Sequence, residues 1–434
     1  TTGYKNSAMG DSALFSNTTG YSNLAIGSFA LYSNTTGYKN TALGDSSLFS
    51  NKANSRSIAL GYKAMYYADN TTSGRETYNT AVGYEALKGS TIAGNNTGQF
   101  NTAIGDQALF SNTSGYSNSA MGVKALYYNT TGYKNSAMGD SALFSNTTGD
   151  YNSALGSSAL YSNKANSRST AIGYQAMYYA NNTIYGFETY NTAVGCEALR
   201  GSTTASDNTG HYNTAIGGQA LYSNTNGSYN SAMGYRALYS NTNGSYNSAI
   251  GYRALYSNTT GLYNSALGYG ALNSNISGSD NSAMGYGALY YNTTGSYNSA
   301  MGVVALVSNT TGNHNSAMGY GALYSNTSGN KNTAVGDSAL YSNKANSRST
   351  AIGSGAMYYA DDRTSGRETY NTAVGYEALR GSTTASDNTG RFNTAIGDQA
   401  LHSNSRGYSN SAMGVKALYS NTTGYKNSAM GDSA

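Results

Sequence analysis

The sequence holds 434 residues, with no Pro and no Trp but 54 Gly and 44 Tyr. Charged residues make up 10% and the formal net charge is +4, too weak and too dispersed for a nucleic-acid-binding patch. No apolar run approaches the ~20 residues of a membrane-spanning helix, and the single cysteine, Cys196, leaves no pair for an internal disulfide.

From the N-terminus, the first unit reads Asn6-Ser7-Ala8-Met9-Gly10, then Ala13-Leu14-Phe15, then Ser16-Asn17-Thr18-Thr19-Gly20-Tyr21. The motif glycine returns at Gly27, Gly44, Gly61, Gly83 and Gly105 and onward to Gly431, in 24 copies. Seventeen steps are 17 residues long and six are 22. A 17-residue unit rich in Gly and Asn is too short for the two helices of an α-solenoid repeat. Two short strands and two turns fit, because the apolar segments are brief and bounded by Gly, Asn and Ser. Asn-Thr-Thr-Gly supplies turn residues that tolerate left-handed backbone angles. The expected fold is therefore all-β, a parallel β-solenoid (β-roll) running through residues 1–434 as one continuous repeat domain. The chain starts and stops inside a repeat, which reads as an excerpt of a longer protein. With one strand spacing per coil, 24 coils predict a rod on the order of 115 Å long.

Stacking places like residues in columns. The residue two before the motif glycine is Ala in every copy, from Ala8 to Ala429, and the next is Met, Ile, Leu or Val. Four before it stands Asn, except at Ser57, Ser169 and Ser349. Stacked Asn side chains can hydrogen-bond along their column. Neighbouring strand residues point to opposite faces, yet Ala8 and Met9 are both apolar, as are Ala13 and Leu14. A second apolar face needs a partner, and the expected one is further copies of the same chain, in a closed cyclic homo-oligomer, the alternative being a flattened monomeric coil with one exposed apolar face.

The 22-residue steps come in adjacent pairs, forming cassettes at about 51–105, 163–217 and 343–397. Each opens with Asn-Lys-Ala-Asn-Ser-Arg, at 51–56, 163–168 and 343–348. Charge gathers here. Glu85, Glu197 and Glu377 sit two after the motif glycine, and Lys88, Arg200 and Arg380 five after it, where most coils carry a ring such as Phe15, Tyr32 or Tyr66. Arg75-Glu76 and Arg367-Glu368 add charge, with Phe187-Glu188 as the variant. Loops on a rigid scaffold are where binding tends to reside. These eleven charged residues are accordingly the candidate contact loops for a surface ligand of unknown kind, against the plainer reading of ion pairs that cover an enlarged turn.

Catalytic patterns are missing. His211, His314 and His402 occupy unrelated columns, and no His/Cys/Asp cluster has metal-ligand spacing. Cys196 stands where the sister cassettes have Tyr84 and Tyr376. The glycines end in no phosphate-binding Gly-Lys-Ser/Thr motif. Neither catalysis nor a cofactor is expected. Asn-x-Ser/Thr recurs, for example at Asn17, Asn34, Asn129, Asn146, Asn258 and Asn309. It reads either as turn chemistry or as a glycosylation acceptor.

The Asn-Ser-Ala-Met-Gly and Asn-Thr-Ala-Ile-Gly cores resemble the head repeats of trimeric autotransporter adhesins, and the longer run through Ala-Leu-Tyr-Ser-Asn-Thr-Thr-Gly is similar to repeats of bacterial and phage tail-fibre-like proteins. The resemblance spans essentially the whole chain. It implies a left-handed parallel β-roll three chains wide, and surface attachment or fibre formation, with no catalytic residues to carry over. The 17-residue coil is longer than the usual coil of those heads. Three functions follow as expectations: an extracellular adhesive or structural surface fibre, a phage-type tail fibre for host recognition, and an ice- or crystal-binding solenoid.

Overall fold

The computed structural model describes residues 2–434. They form two compact units. One runs to Gln219 and includes Ser223–Asn226, and the other comprises Ala220–Tyr222 and Gly227–Ala434. Both are parallel β-solenoids in which every coil contributes one three-residue strand, from Ser7–Met9 to Ser428–Met430. Strands pair in register, Ala on Ala, as in Ala120↔Ala137 of one unit and Ala283↔Ala300 of the other. The longer coils keep that register, with Ala59↔Ala81 and Ala81↔Ala103, so their five extra residues are accommodated outside the strand. The extra residues include a single 3₁₀ turn, at Ala93–Asn95, Ala205–Asp207 and Ala385–Asp387.

Strand alternation holds at the motif itself. Ala120, Ala137 and Ala154 are at most 3% exposed, whereas Met121, Met138 and Leu155 between them are 42–47% exposed. The expected second strand does not form. In each ordinary coil the residue two after the motif glycine and the Leu four after it are left-handed, as in Ser12 (φ 54°) and Leu14 (φ 56°). A chain that enters the left-handed region twice in three residues cannot be extended. Adjacent side chains then need not oppose each other, and Ala30 and Leu31 are both fully buried. The two-sided Ala13-Leu14 strand is thereby corrected to an arched turn whose apolar residues both face inward. Backbone bonds still tie the turn to the next coil, with Leu14 N donating to Ala30 O (2.9 Å) and Ser16 N to Tyr32 O (3.1 Å).

The linker also differs from expectation. Its left-handed residue lies just before the Asn column, as at Lys134 (φ 52°), not in Asn-Thr-Thr-Gly. Gly132 is required for space instead, because a Cβ there would run into Asn129 Oδ1 and the carbonyl of Gly149.

Two asparagine ladders fill the polar side of the coil. In the column before the strand, Asn118 donates its backbone N–H to Asn101 Oδ1 (3.0 Å) and its Nδ2 to Gly132 O (2.8 Å). In the linker column, Asn129 Nδ2 donates to Asn112 Oδ1 (2.8 Å) and to Gly132 O (2.9 Å). These amides are buried, so each bond also removes the cost of leaving a polar group unmet. Rings stack outside, as in Phe15–Tyr32–Phe49–Tyr66 with centroids 5.0–5.4 Å apart.

Candidate functional site

Two features stand out from the repeating scaffold: the outward strand face and the three cassettes. On the strand face the Met/Ile/Leu/Val column lies beside a Ser/Thr column, with the shared Ala column sealed beneath. Just past the motif glycine, Tyr235, Tyr252, Tyr269 and Tyr286 form a further exposed stack with centroids 4.9–5.7 Å apart. Asn6, Ala8, Met9, Gly10, Ala13, Leu14, Gly27, Gly44 and Gly61 belong to this scaffold.

In the cassettes each residue of the Asn-Lys-Ala-Asn-Ser-Arg signature has a task. Asn51 Nδ2 continues the linker ladder to Asn34 Oδ1 (3.0 Å). Lys52 O accepts from Thr35 N (2.7 Å). Ala53 lies under Gly74, where any side chain would collide with the Ala53 carbonyl. Asn54 clips the enlarged loop, accepting from Arg75 N at Oδ1 (3.3 Å). Ser55 Oγ accepts from Tyr38 N (3.0 Å), and Arg56 pairs with Glu76 (2.7 Å). In the enlarged loop of the following coil Asn96 folds back. Its Oδ1 accepts from Ser90 N (2.8 Å) and its Nδ2 donates to the Tyr67 carbonyl, an arrangement that recurs at Asn208 and Asn388.

The candidate contact residues fall into three groups. Arg75 and Arg367 turn inward, onto the buried carboxylates of Asp69 (2.6 Å) and Asp361, and each also donates to a backbone carbonyl, of Thr97 (3.2 Å) and Thr389 (3.3 Å) respectively. The middle cassette replaces both partners at once, with Asn181 for the acid and Phe187 for the cation. These acids were missed in the sequence. The signal was available in that joint replacement, which becomes visible when the three cassettes are aligned.

Glu85, Glu197 and Glu377 pair with Lys88, Arg200 and Arg380 three residues on, at 2.6, 3.4 and 3.2 Å. Gln107, Gln219 and Gln399 of the following coil donate to the same carboxylates. The cations occupy the ring column and lie against its aromatics, with Lys88 over Phe110 (5.1 Å) and Arg380 over Tyr358 (5.9 Å). Ring is thus exchanged for cation without breaking the column. Burial pushes the Glu85 carboxyl up, but the Lys88 ammonium and Gln107 amide more than offset it and leave it below its ordinary value. None of these six residues protrudes, since Glu85 and Lys88 side chains are only 9% and 19% exposed.

Glu76, Glu188 and Glu368 are the exposed members. Each accepts from a Tyr two residues on, Tyr78, Tyr190 or Tyr370, and from Arg56, Arg168 or Arg348 of the preceding coil, at 2.6–2.7 Å. Tyr38 OH adds a third bond to Glu76 (2.8 Å). The Tyr78 hydroxyl, then Arg56 and Tyr38, hold the Glu76 carboxyl down to about 2. Glu188 and Glu368 are lowered for the same reasons, the Tyr bond first.

The sequon asparagines lie in the linker ladder. Asn34, Asn129, Asn146, Asn258 and Asn309 are fully buried, and each spends its Nδ2 on the preceding Asn and on its own linker glycine. Asn17, in an end coil, is half-buried and donates to Gly20 O (3.0 Å). An acceptor amide would have to leave that ladder. His402 stacks on Tyr419 in the ring column, His314 stacks on Tyr297 in the separate column just before the strand's Asn, and His211 packs edge-on against Tyr212. Cys196 is exposed. Among the described residues no group of three or more His, Cys, Asp or Glu could hold a metal ion, and no helix is long and apolar enough to cross a membrane. No protein-family model matches the chain, and no curated protein matches it.

Proposed function

We propose that the chain is the repeat-built shaft of an extracellular fibre, on a cell surface or a virion, without catalytic activity of its own, and that it assembles with copies of itself through the outward strand face. The observation that carries this is the exposed apolar column at Met121, Met138 and Leu155 and at Met284, Met301 and Met318, one residue from a sealed Ala column. Apolar stripes of this extent mark association surfaces. Twelve coils, each with a half-exposed Met, Ile, Leu or Val, offer on the order of 1,000 Å², the total area at which a specific interface becomes credible. The stripe repeats with every coil, and a surface of matching repeat is another copy of this chain. Identical coils then give multivalency, through which weak contacts to a surface add up.

Light scattering on the intact chain tests the reading. A mass three times 45.2 kDa is expected, and Met138→Glu together with Met301→Glu should return it to one chain. A monomer at all concentrations overturns the assembly.

A second reading, binding to ice or another crystal, rests on runs in which the outward column is Thr with Ile or Val. Thr333, Thr350, Thr372 and Thr394 are one such run. Thermal hysteresis in the intact chain would favour it, and normal ice growth would remove it.

A further inference from the structure

The linker ladder is interrupted in the same way three times. In ordinary coils each Asn Oδ1 accepts from the Asn Nδ2 of the next coil, but the two long coils carry Ala68 and Ser90 at that position, as they do Ala180 and Ser202, and Ala360 and Ser382. The last Asn before each gap therefore keeps a buried acceptor with no partner: Asn51, Asn163 and Asn343 Oδ1. All three residues are fully buried. Beyond the first and third gaps the ladder resumes at Asn112 and Asn404, each with an Nδ2 that donates to its own linker glycine and to no preceding Asn.

A cavity of about 30 Å³ lies along each gap. In the first cassette it is lined at one end by Asn51 and at the other by Asn112, with the Ser57–Thr77 hydroxyl pair (2.6 Å apart) between them. The same pair recurs at Ser169–Thr189 and Ser349–Thr369, and Met65, Met177 and Met357 replace the usual Leu in the wall. A water needs roughly 10–15 Å³ on this measure and two to four polar partners. The cavity provides room for about two, with acceptors at the Asn Oδ1 and the hydroxyls and, in the first and third cassettes, a donor at Asn112 or Asn404.

We infer that each cassette encloses a built hydration site, in which about two ordered waters anchored on Asn51, Asn163 or Asn343 Oδ1 carry the ladder across the coils that lack Asn. The ligand is neutral. The three cavities share their volume, orphan acceptor and hydroxyl pair, yet Asp69 and Asp361 in two of them are matched by Asn181 in the third. Where the acid is present, an arginine already pairs with it. A cation site would not keep its geometry while exchanging its only charge.

The test is a high-resolution crystal structure of the intact chain grown with rubidium as the monovalent cation, together with oxygen-17 relaxation dispersion in solution. The expected result is density without anomalous signal at hydrogen-bond distance from all three Oδ1 atoms. The variant Ala180→Leu, which fills the middle cavity, should lower the long-lived water signal by about a third. An anomalous rubidium peak would replace water with a cation. Dry cavities, with the amides turned onto protein donors, or a signal unchanged in a folded Ala180→Leu variant, would overturn the inference.

Discussion

Asn326 donates an Nδ2 proton to Asn309 Oδ1, 2.8 Å away in the preceding coil. Asn309 does the same to Asn292 (2.7 Å) while also closing its own turn onto Gly312 O (3.0 Å). Every such amide is donor and acceptor at once, so one truncation strands groups on both sides. Asn309→Ala should cost about 2–4 kcal/mol, from two or more buried groups left unmet at ~1–3 kcal/mol each. In a repeat array that loss stays with nearest neighbours. Hydrogen exchange should show lost protection in the coils bearing Asn292, Asn309 and Asn326, with distant coils unchanged. Full protection at those three coils would show that the ladder contributes nothing.

The Asp69–Arg75 pair carries its own control within the sequence. Asp69→Asn alone leaves a partly buried guanidinium without its carboxylate. It should loosen the loop by about 1–3 kcal/mol, below the 3–5 of a fully buried pair because Arg75 is partly exposed. Adding Arg75→Phe recreates the Asn181/Phe187 combination of the middle cassette and should restore most of the loss. Limited proteolysis across residues 69–76 reads both steps. A double variant cleaved as fast as the single one would mean that the joint exchange has no energetic basis.

The exposed glutamates should keep their charge well into acid. Glu76 titrates at about 2 when folded, against an ordinary 4.5, so its contribution to stability is complete above about 4.5 and fades as pH falls towards 2. Glu188 and Glu368 shift in the same direction. A carboxyl-resolved NMR titration should place the Glu76 midpoint near 2. Tyr78→Phe should move it upward, since that hydroxyl is the largest cause. A midpoint unmoved from the ordinary value would show that the cluster does not persist in solution.

Much of this architecture was legible because a period imposes its own constraint. Ala at every copy and an apolar residue beside it specify a strand apolar on both faces; the inner face is sealed at Ala137, and the outer one, at Met138, is half-exposed in the single chain. The Ala-Leu segment was not legible. Leucine has no intrinsic preference for left-handed angles, and only the stacked backbone bonds, such as Leu126 N to Ala142 O (2.9 Å), hold it there. Asn129 was ambiguous for a related reason. Asn-Thr-Thr-Gly suits a turn, a sequon and a ladder equally, and burial decides among them. Lys88 and Arg380 looked like loop charges because the column rings they lie against, Phe110 and Tyr358, are a coil away in sequence. Asp69 showed no signal of its own, and its meaning rests on its coupling to Arg75.

Gly302 and Gly287 lie in adjacent coils and are required for different reasons, which yields a last pair of outcomes. Gly302 sits at φ 138°, and a Cβ there would meet the backbone of Gly319 in the next coil. Neither neighbour can yield without breaking the strand ladder, so Gly302→Ala should cost about 3 kcal/mol or more, combining an unfavourable backbone region with a backbone clash. Gly287, two after its motif glycine, sits at φ 63° with only Val304 Cγ1 near, at 3.6 Å. Most coils place a side chain at this position, as at Ser141 (φ 55°). Gly287→Ser should therefore cost no more than about 1 kcal/mol, the ordinary penalty for a left-handed non-glycine residue. Local exchange rates in the two variants measure the difference. Equal losses would mean that close approach between coils, and not backbone angle alone, has been misassigned as the reason for the motif glycine.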